Sequence, residues 1–133
     1  MQPWEQEPDQ LEWEHLGLKC LILRHPTMRH LCGYVRIPMS NPMSNPGEEA
    51  CWDLDVHGGI TWSGSGRPPR GDRSLDYWWL GFDCGHAGDW TPGLKDFIKK
   101  LRIPHDGTYR TLDYVKNECE RLAEQLAFGV GDG

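Results

Sequence analysis

Alternating apolar and polar residues predict several β-strands in the first two thirds of the chain. Residues 16–25 (LGLKCLILRH) and 29–38 (RHLCGYVRIP) are two strand-like runs joined by a short turn that contains a proline, which is typical of a β-hairpin. In the second run the apolar side chains share one face of the strand, namely Leu31, Val35 and Ile37. The opposite face carries His30, Cys32, Tyr34 and Arg36. We therefore expect one face of this hairpin to be buried and the other to carry mostly polar groups.

The same two-residue period runs through residues 50–59 (ACWDLDVHGG) and 75–86 (LDYWWLGFDCGH). In both segments the apolar residues fall on one face, namely Trp52, Leu54 and Val56 in the first and Leu80, Phe82 and Cys84 in the second. The opposite face carries Asp53, Asp55 and His57 in the first and Trp79, Gly81 and Asp83 in the second. After the glycine pair, residues 59–64 (GITWSG) are expected to continue as a partner strand.

A longer period, of three to four residues, predicts a helix over residues 111–128. Thr111 is suited to cap this helix, and Asp113 lies in its first turn, where the helix dipole favours negative charge. Gly129 follows the helix, in a position where glycine commonly ends one. The apolar stripe of the helix consists of Leu112, Val115, Cys119, Leu122 and Leu126. A shorter helix is predicted over residues 94–102.

The helical stripe needs a surface to cover, and the apolar faces of the predicted strands provide one. We therefore predict an α+β fold in which an antiparallel sheet of about four to five strands has the C-terminal helix packed on one face. With 133 residues the chain suits a single domain, residues 1–133, with one core. Residues 1–15 are expected to form a loosely attached arm, with Trp4 or Trp13 packing back onto the domain. Residues 39–46 (MSNPMSNP) repeat a proline-containing tetrapeptide and predict an extended loop.

The charge and the cysteine content narrow the classes of function. The net charge is −6 at pH 7, and nucleic-acid binding relies on concentrated Lys and Arg, so free nucleic acid is not expected as a general partner. An acidic surface instead suits a basic protein or a divalent cation. No apolar run approaches the roughly 20 residues that a membrane-spanning helix needs. Five widely spaced cysteines, and an acidic N-terminus without the features of a secretory signal, favour a cytoplasmic protein without a disulfide framework.

Acidic residues and histidines concentrate on the face of the predicted sheet that the helix would leave uncovered. The candidate residues are Asp53, Asp55, His57 and Asp83, together with His86 and Asp89 on the glycine-rich turn CGHAGD. Adjacent strands lie about 4.8 Å apart, so side chains on one face of neighbouring strands can meet. Such a concentration of negative charge requires a positive group nearby, which could be a metal ion, an arginine or a basic partner.

Three hypotheses account for these residues. In the first, a divalent cation activates a water molecule for hydrolysis, and its ligands are Asp55, His57, Asp83, His86 and Asp89. In the second, all six polar residues belong to a docking surface for another protein, with Trp62 and Trp79 as aromatic anchors. In the third, the aspartates and histidines hold turns by internal hydrogen bonds in a structural or assembly protein.

Four sequence blocks add a family resemblance that covers roughly residues 16–128. The motifs CGYV, DVHGGITW, GFDCGHAGD and YRTLDYVKNECERLAEQL make the chain resemble a family of small, largely uncharacterised proteins of phages, prophages and other mobile elements. The resemblance implies an intracellular single-domain protein. It also implies that the blocks around His57 and around residues 83–89 form the functional signature. The MSNPMSNP loop departs from the family pattern, which has a shorter turn there.

The family resemblance favours the docking hypothesis. Small acidic proteins of such elements are often inhibitors of host defence, including anti-CRISPR proteins, which bind a basic host protein. We therefore expect an accessory protein in the cytoplasm of a bacterial host that acts by binding and inhibits a bacterial defence system. A small metal-dependent hydrolase and a structural or assembly protein are the alternatives.

Overall fold

The computed structural model describes residues 3–38, 54–65, 68, 77–84, 92 and 108–128. In this part of the chain the elements follow one another as α1 (Pro3–Gln6), β1 (Gln10–His15), β2 (Leu18–Arg24), β3 (Leu31–Pro38), β4 (Trp62–Gly64), β5 (Tyr77–Asp83) and α2 (Leu112–Phe128). The five strands form one antiparallel sheet in the order β1-β2-β3-β5-β4, and α2 packs against it. The predicted α+β fold is confirmed.

Two hairpins build the first three strands. β1 and β2 are joined by the two-residue turn Leu16-Gly17, in which both residues have positive φ angles (54° and 79°), as a type I′ turn requires. β2 and β3 are joined through residues 25–30, where His25 Nδ1 accepts a hydrogen bond from the backbone N–H of Met28. This second hairpin is the one that the sequence pattern predicts, and its strands pair antiparallel as expected.

The face of the sheet toward α2, called the inner face, carries the core. The buried core residues are Cys20, Ile22, Leu31, Val35, Ile37, Leu80 and Phe82 from the sheet, and Val115, Cys119, Leu122, Ala123 and Leu126 from the helix. At Gly33 an added Cβ would lie 2.5 Å from Phe82 Cζ and 2.7 Å from Cys119 Sγ. The close approach of α2 to β3 therefore depends on the missing side chain at this position.

Helix α2 begins as the sequence predicts. Thr111 Oγ1 accepts a hydrogen bond from the N–H of Tyr114 at 3.3 Å, which caps the first turn. Glu7 Oε2 accepts another from the N–H of Leu112 at 2.6 Å, so a carboxylate lies at the positive end of the helix dipole. The predicted apolar stripe of the helix lies in or against the core.

The N-terminal segment differs from the predicted loosely attached arm. Residues 10–15 form strand β1, which pairs with β2 along its whole length. The predicted packing of Trp13 against the domain is confirmed. Leu11, Trp13 and His15 alternate with glutamates, and this two-residue period is that of a strand with one buried face.

A buried arginine fixes the start of this segment. Arg24 Nε donates to Asp9 Oδ1 at 2.9 Å, and Nη2 donates to Glu7 Oε1 at 3.2 Å. Arg24 Nη1 donates to the Tyr109 hydroxyl at 2.8 Å, and this hydroxyl donates to Glu7 Oε1 at 2.5 Å. The Arg24 side chain is fully buried, and a desolvated charge needs such partners. The network joins the N-terminal segment, the sheet and the chain just before α2.

Residues 54–59 form no strand, although their alternation predicts one. Leu54 and Val56 lie in the core as expected, but the segment lies against α2 instead of joining the sheet. Of the partner strand expected over residues 59–64, only Trp62–Gly64 forms a strand, and it pairs with β5 and not with residues 54–57. The predicted helix over residues 94–102, the loop over residues 39–46 and Gly129 lie outside the described residues. Neither of the two described helices is long and apolar enough to cross a membrane.

Candidate functional site

The predicted polar cluster is divided between two sides of the sheet. His57 Nδ1 lies 2.8 Å from the hydroxyl oxygen of Tyr114 on α2, so His57 belongs to the helix side. Asp83 lies opposite Cys32 in the β3–β5 register, and this position is on the face away from the helix, called the outer face. The prediction that His57 and Asp83 share the outer face is therefore wrong. It failed because residues 54–59 are not a strand, so their alternation does not continue that of the sheet.

Asp55 is also held on the helix side, by side chains of α2. Its Oδ2 accepts a hydrogen bond from Arg121 Nη2 at 2.6 Å. Its backbone N–H donates to Gln125 Oε1, and its carbonyl accepts from Gln125 Nε2, both at 2.7 Å. The Gln125 amide thus makes the two hydrogen bonds that a neighbouring strand would make. The positive charge beside the Asp55 carboxylate is supplied by arginine.

His57 is held by the helix and by a tight turn. Its backbone N–H donates to Glu118 Oε1 at 2.8 Å. Gly58 and Gly59 have φ angles of 69° and 78°, and the N–H of Gly59 donates to the carbonyl of Val56 at 2.9 Å. Both glycines therefore serve a turn whose backbone angles disfavour other residues. These contacts match the internal, turn-holding role of the third hypothesis.

The outer face brings together a separate set of side chains near one end of β3 and β5. We call this set the outer-face group, and it consists of Cys32, Tyr34, Thr61, Trp62 and Asp83. The Tyr34 ring meets the Trp62 ring edge to face, with centroids 5.7 Å apart. Thr61 Oγ1 donates to Asp83 Oδ2 at 3.3 Å. The predicted outward placement of Cys32, Tyr34 and Asp83 is confirmed.

Two ionisable groups of the outer-face group stay protonated at neutral pH. Burial raises the pKa of the Cys32 thiol to about 12, and the Asp83 carboxylate adds to this effect. Burial likewise raises the pKa of the Tyr34 hydroxyl well above its ordinary range. A cysteine nucleophile needs a lowered pKa, because the thiolate is the reactive form. Cys32 and Tyr34 are therefore suited to packing and hydrogen bonding, and not to nucleophilic catalysis.

A cavity of about 310 Å³ lies beside the outer-face group. Its walls are mainly apolar and are formed by Leu23, Arg24, His25, Pro26, Cys32 and Tyr34. The volume is at the lower end of the range for small-molecule sites. The cavity is large enough for an apolar side chain or a small apolar molecule.

The centre of the outer face is covered. Trp79, predicted as an anchor for a partner, is only 3% exposed, and Leu21 of β2 is fully buried. Trp62, the other predicted anchor, is partly buried and packs against Tyr34. The prediction of an uncovered face is therefore wrong at its centre, and Trp79 contributes to the packing of the free chain.

The predicted metal ligands are separated where the structure describes them. Asp55 and His57 lie on the helix side, whereas Asp83 lies on the outer face. Among the described residues, no group of three or more His, Cys, Asp and Glu side chains is placed to hold a metal ion. The remaining predicted site residues, Asp53, His86 and Asp89, lie outside the described residues.

A charged surface that the sequence analysis did not single out lies where β1 meets α2. His15 lies between two helix glutamates, with Nδ1 3.4 Å from Glu120 Oε2 and Nε2 3.6 Å from Glu124 Oε1. Trp13 Nε1 also donates to Glu120 Oε2 at 3.2 Å. Glu14, between Trp13 and His15 on the edge strand β1, is exposed toward the outer face, and the Glu124 side chain is 51% exposed. We call Glu14, Glu120 and Glu124 the acidic flank.

Part of this surface has a signal in the sequence. The first 18 residues contain five acidic residues and neither lysine nor arginine. The contribution of α2 has no such signal, because Glu120 and Glu124 reach His15 only when β1 joins the sheet.

Comparison with known proteins gives no match: no family model, no curated protein and no solved structure matches the chain. The resemblance of the sequence blocks to phage proteins therefore stays a prediction.

Proposed function

We propose that this chain acts by binding a basic protein, as an accessory protein of a phage or mobile element that inhibits a bacterial defence system in the host cytoplasm. The binding part of the proposal is supported by the net charge of −6 and by the acidic flank. The inhibitory part is supported by the resemblance of DVHGGITW and GFDCGHAGD to motifs of the phage family.

The acidic flank is the observation that carries the binding proposal. Glu120 and Glu124 of α2 lie on either side of His15, and Glu14 precedes His15 on the edge strand β1, with its side chain toward the outer face. Carboxylates gathered on an accessible surface attract a positively charged protein at long range and speed its association. They also disfavour nucleic acid, whose phosphates carry the same sign of charge.

The geometry of the described residues favours binding over hydrolysis. Asp55 pairs with Arg121 at 2.6 Å, and it lies on the opposite side of the sheet from Asp83. The Cys32 thiol is protonated at neutral pH, since burial raises its pKa to about 12. The described candidate ligands of the metal-dependent hydrolase are therefore not close enough to form one metal site.

Charge reversal at the acidic flank tests the binding proposal. The double variant Glu14→Lys/Glu124→Lys raises the net charge from −6 to −2. We expect the immobilised wild-type chain to capture a basic protein from bacterial lysate at low salt and to release it at high salt, because salt screens exposed charges. The flank variant should lose this capture, which quantitative mass spectrometry measures.

A matched control separates the flank from net charge. Glu5→Lys/Asp113→Lys makes the same change in net charge near the opposite ends of the N-terminal segment and of α2. This control should retain the capture. Equal capture by both double variants, or capture that salt does not change, would contradict the proposal.

Inhibition needs a separate measurement. The chain is expressed in bacteria that carry an active defence nuclease, and the plaques of a targeted phage are counted. We expect wild type to restore plaques and the flank variant to restore far fewer. Restoration by neither chain would contradict the inhibitory part alone.

A further inference from the structure

The turn between β1 and β2 contains a leucine where its geometry disfavours one. Leu16 has a φ angle of 54° at the first central position of a type I′ turn. This position is usually occupied by Asn, Asp or Gly, since the left-handed region crowds the Cβ of other residues. We therefore expect a leucine at this position only where its side chain makes a favourable contact that offsets the cost of the backbone conformation.

Burial of Leu16 within its own chain does not provide such a contact. Leu16 is 49% exposed and is one of the two large exposed hydrophobic side chains, with Tyr77, in the described part of the structure. At the neighbouring Gly17, an added Cβ would have no atom of the described residues within 4 Å. The tip of the hairpin thus leaves about half of its apolar side chain exposed to solvent.

The surroundings of Leu16 have the composition of a binding site. The residue before it, His15, contacts Glu120 and Glu124 of the acidic flank, and Glu14 is next along β1. An apolar side chain at the centre of a polar and charged rim is the common arrangement of an interface hot spot. On the helix side of the hairpin, Glu120 and Glu124 contribute negative charge, so a complementary surface on that side would be basic.

We propose that Leu16 is the apolar anchor through which this chain binds its basic partner. The side chain enters a hydrophobic pocket of the partner, and the acidic flank pairs with Lys and Arg side chains around that pocket. This inference rests on the proposed function, and it adds the chemistry of the contact. A second copy of the chain is a poor occupant, because two acidic flanks would repel each other.

The variant Leu16→Asn tests the proposal, because it changes stability and binding in opposite directions. Asn-Gly is the preferred sequence of a type I′ turn, so we expect the melting temperature to rise by roughly 4 °C. The same variant should weaken capture of the basic partner by roughly tenfold or more. A merely structural leucine would not produce this combination.

Two further variants serve as controls. Leu16→Met keeps an apolar side chain and should retain capture to within about threefold. Thr27→Asn changes an exposed residue of the β2–β3 turn, at the opposite end of the sheet, and should leave capture unchanged. All variants are full-length chains, and the probe is the basic protein that wild type captures in a salt-dependent manner.

The outcomes distinguish this inference from the proposed function. If wild type captures no basic protein, the proposed function fails and the anchor fails with it. If wild type captures one and Leu16→Asn captures it equally well, the anchor alone is overturned. If sedimentation shows a wild-type dimer that Leu16→Asn dissociates, the occupant is a second copy and the proposal is also overturned.

Discussion

Gly33 is the residue that sets how closely α2 can approach the sheet. A Cβ here would overlap with Phe82 and Cys119, and both side chains are buried. We expect Gly33→Ala to lower the free energy of unfolding by about 1–3 kcal/mol, the typical cost of overpacking a core. Urea denaturation measures this change.

A double-mutant cycle checks the cause. Phe82→Leu removes the ring atom that would lie 2.5 Å from the new Cβ at position 33, and it should destabilise the chain by itself. Combined with Gly33→Ala, the loss should be smaller than the sum of the two single losses. Strictly additive losses would show that the clash with Phe82 is not the cause.

The buried thiols make stability depend on alkaline pH. Burial raises the pKa of Cys20 and Cys32 to about 12, and that of Cys119 well above its ordinary value of 9.0. In the unfolded chain the thiols ionise above about pH 9, whereas in the folded chain Cys20 and Cys32 stay protonated up to about pH 12 and Cys119 stays protonated well above pH 9. Their contribution to stability is therefore present below pH 9 and is lost progressively between those two values.

Denaturation with a reducing agent present, at about pH 8 and about pH 10.5, measures this loss. The pKa values of Tyr34 and Tyr109 are also raised by burial and act in the same direction, so a cysteine variant is needed as a control. Cys119→Ala should reduce the fall in stability between the two pH values. An equal fall in wild type and variant would argue against ionisation of this thiol.

At the scale of elements, strand β1 is held by its pairing with β2, and the residues just before it are held by ion pairs with Arg24. Arg24→Met would remove the buried guanidinium and leave the partly buried Glu7 carboxylate without its positively charged partner. We expect a loss of about 3 kcal/mol in the free energy of unfolding, because a buried pair is costly to break from one side. Chemical denaturation checks this value.

Arg29→Met is the matched control. Arg29 also pairs with Asp9, at 3.2 Å, but its side chain is far more exposed than that of Arg24. Exposed pairs contribute at most about 1 kcal/mol, so this variant should be nearly neutral. Similar losses in the free energy of unfolding for the two variants would show that burial of the arginine does not determine the size of the loss.

The sequence pattern predicts some elements well, and its failure at residues 54–59 has a physical reason. Alternation records which side chains are buried, but not what buries them. Leu54 and Val56 are buried in the structure, yet α2 and its glutamine provide the partners that a neighbouring strand was expected to provide. For β3 and β5 the same alternation succeeds, because strands cover both of their edges.

Strand β1 escapes prediction for the opposite reason. Its alternation is present in the sequence, but the glutamates, glutamines and prolines around it are typical of a loosely ordered segment. What secures the segment is a set of contacts with residues far along the chain, at Arg24, Tyr109 and Glu120. Such contacts leave no local signal.

At the scale of the whole molecule, the candidate site was predictable only as far as the sheet extends. Asp83 and Trp62 lie on the outer face as expected, since they belong to paired strands. Asp55 and His57 do not, and the α2 part of the acidic flank has no pattern of its own, because Glu120 and Glu124 meet His15 from more than 100 positions away. Surfaces made by distant elements depend on tertiary packing.

The network around Glu7 has a consequence for the order of events during synthesis. Its carboxylate is bonded to Tyr109 and to the first turn of α2, residues that a ribosome adds about a hundred codons later. A nascent chain can pair its early strands, but it cannot complete this junction until the last fifth has emerged. Chaperones would therefore encounter a partly assembled sheet whose apolar inner face is not yet covered by α2.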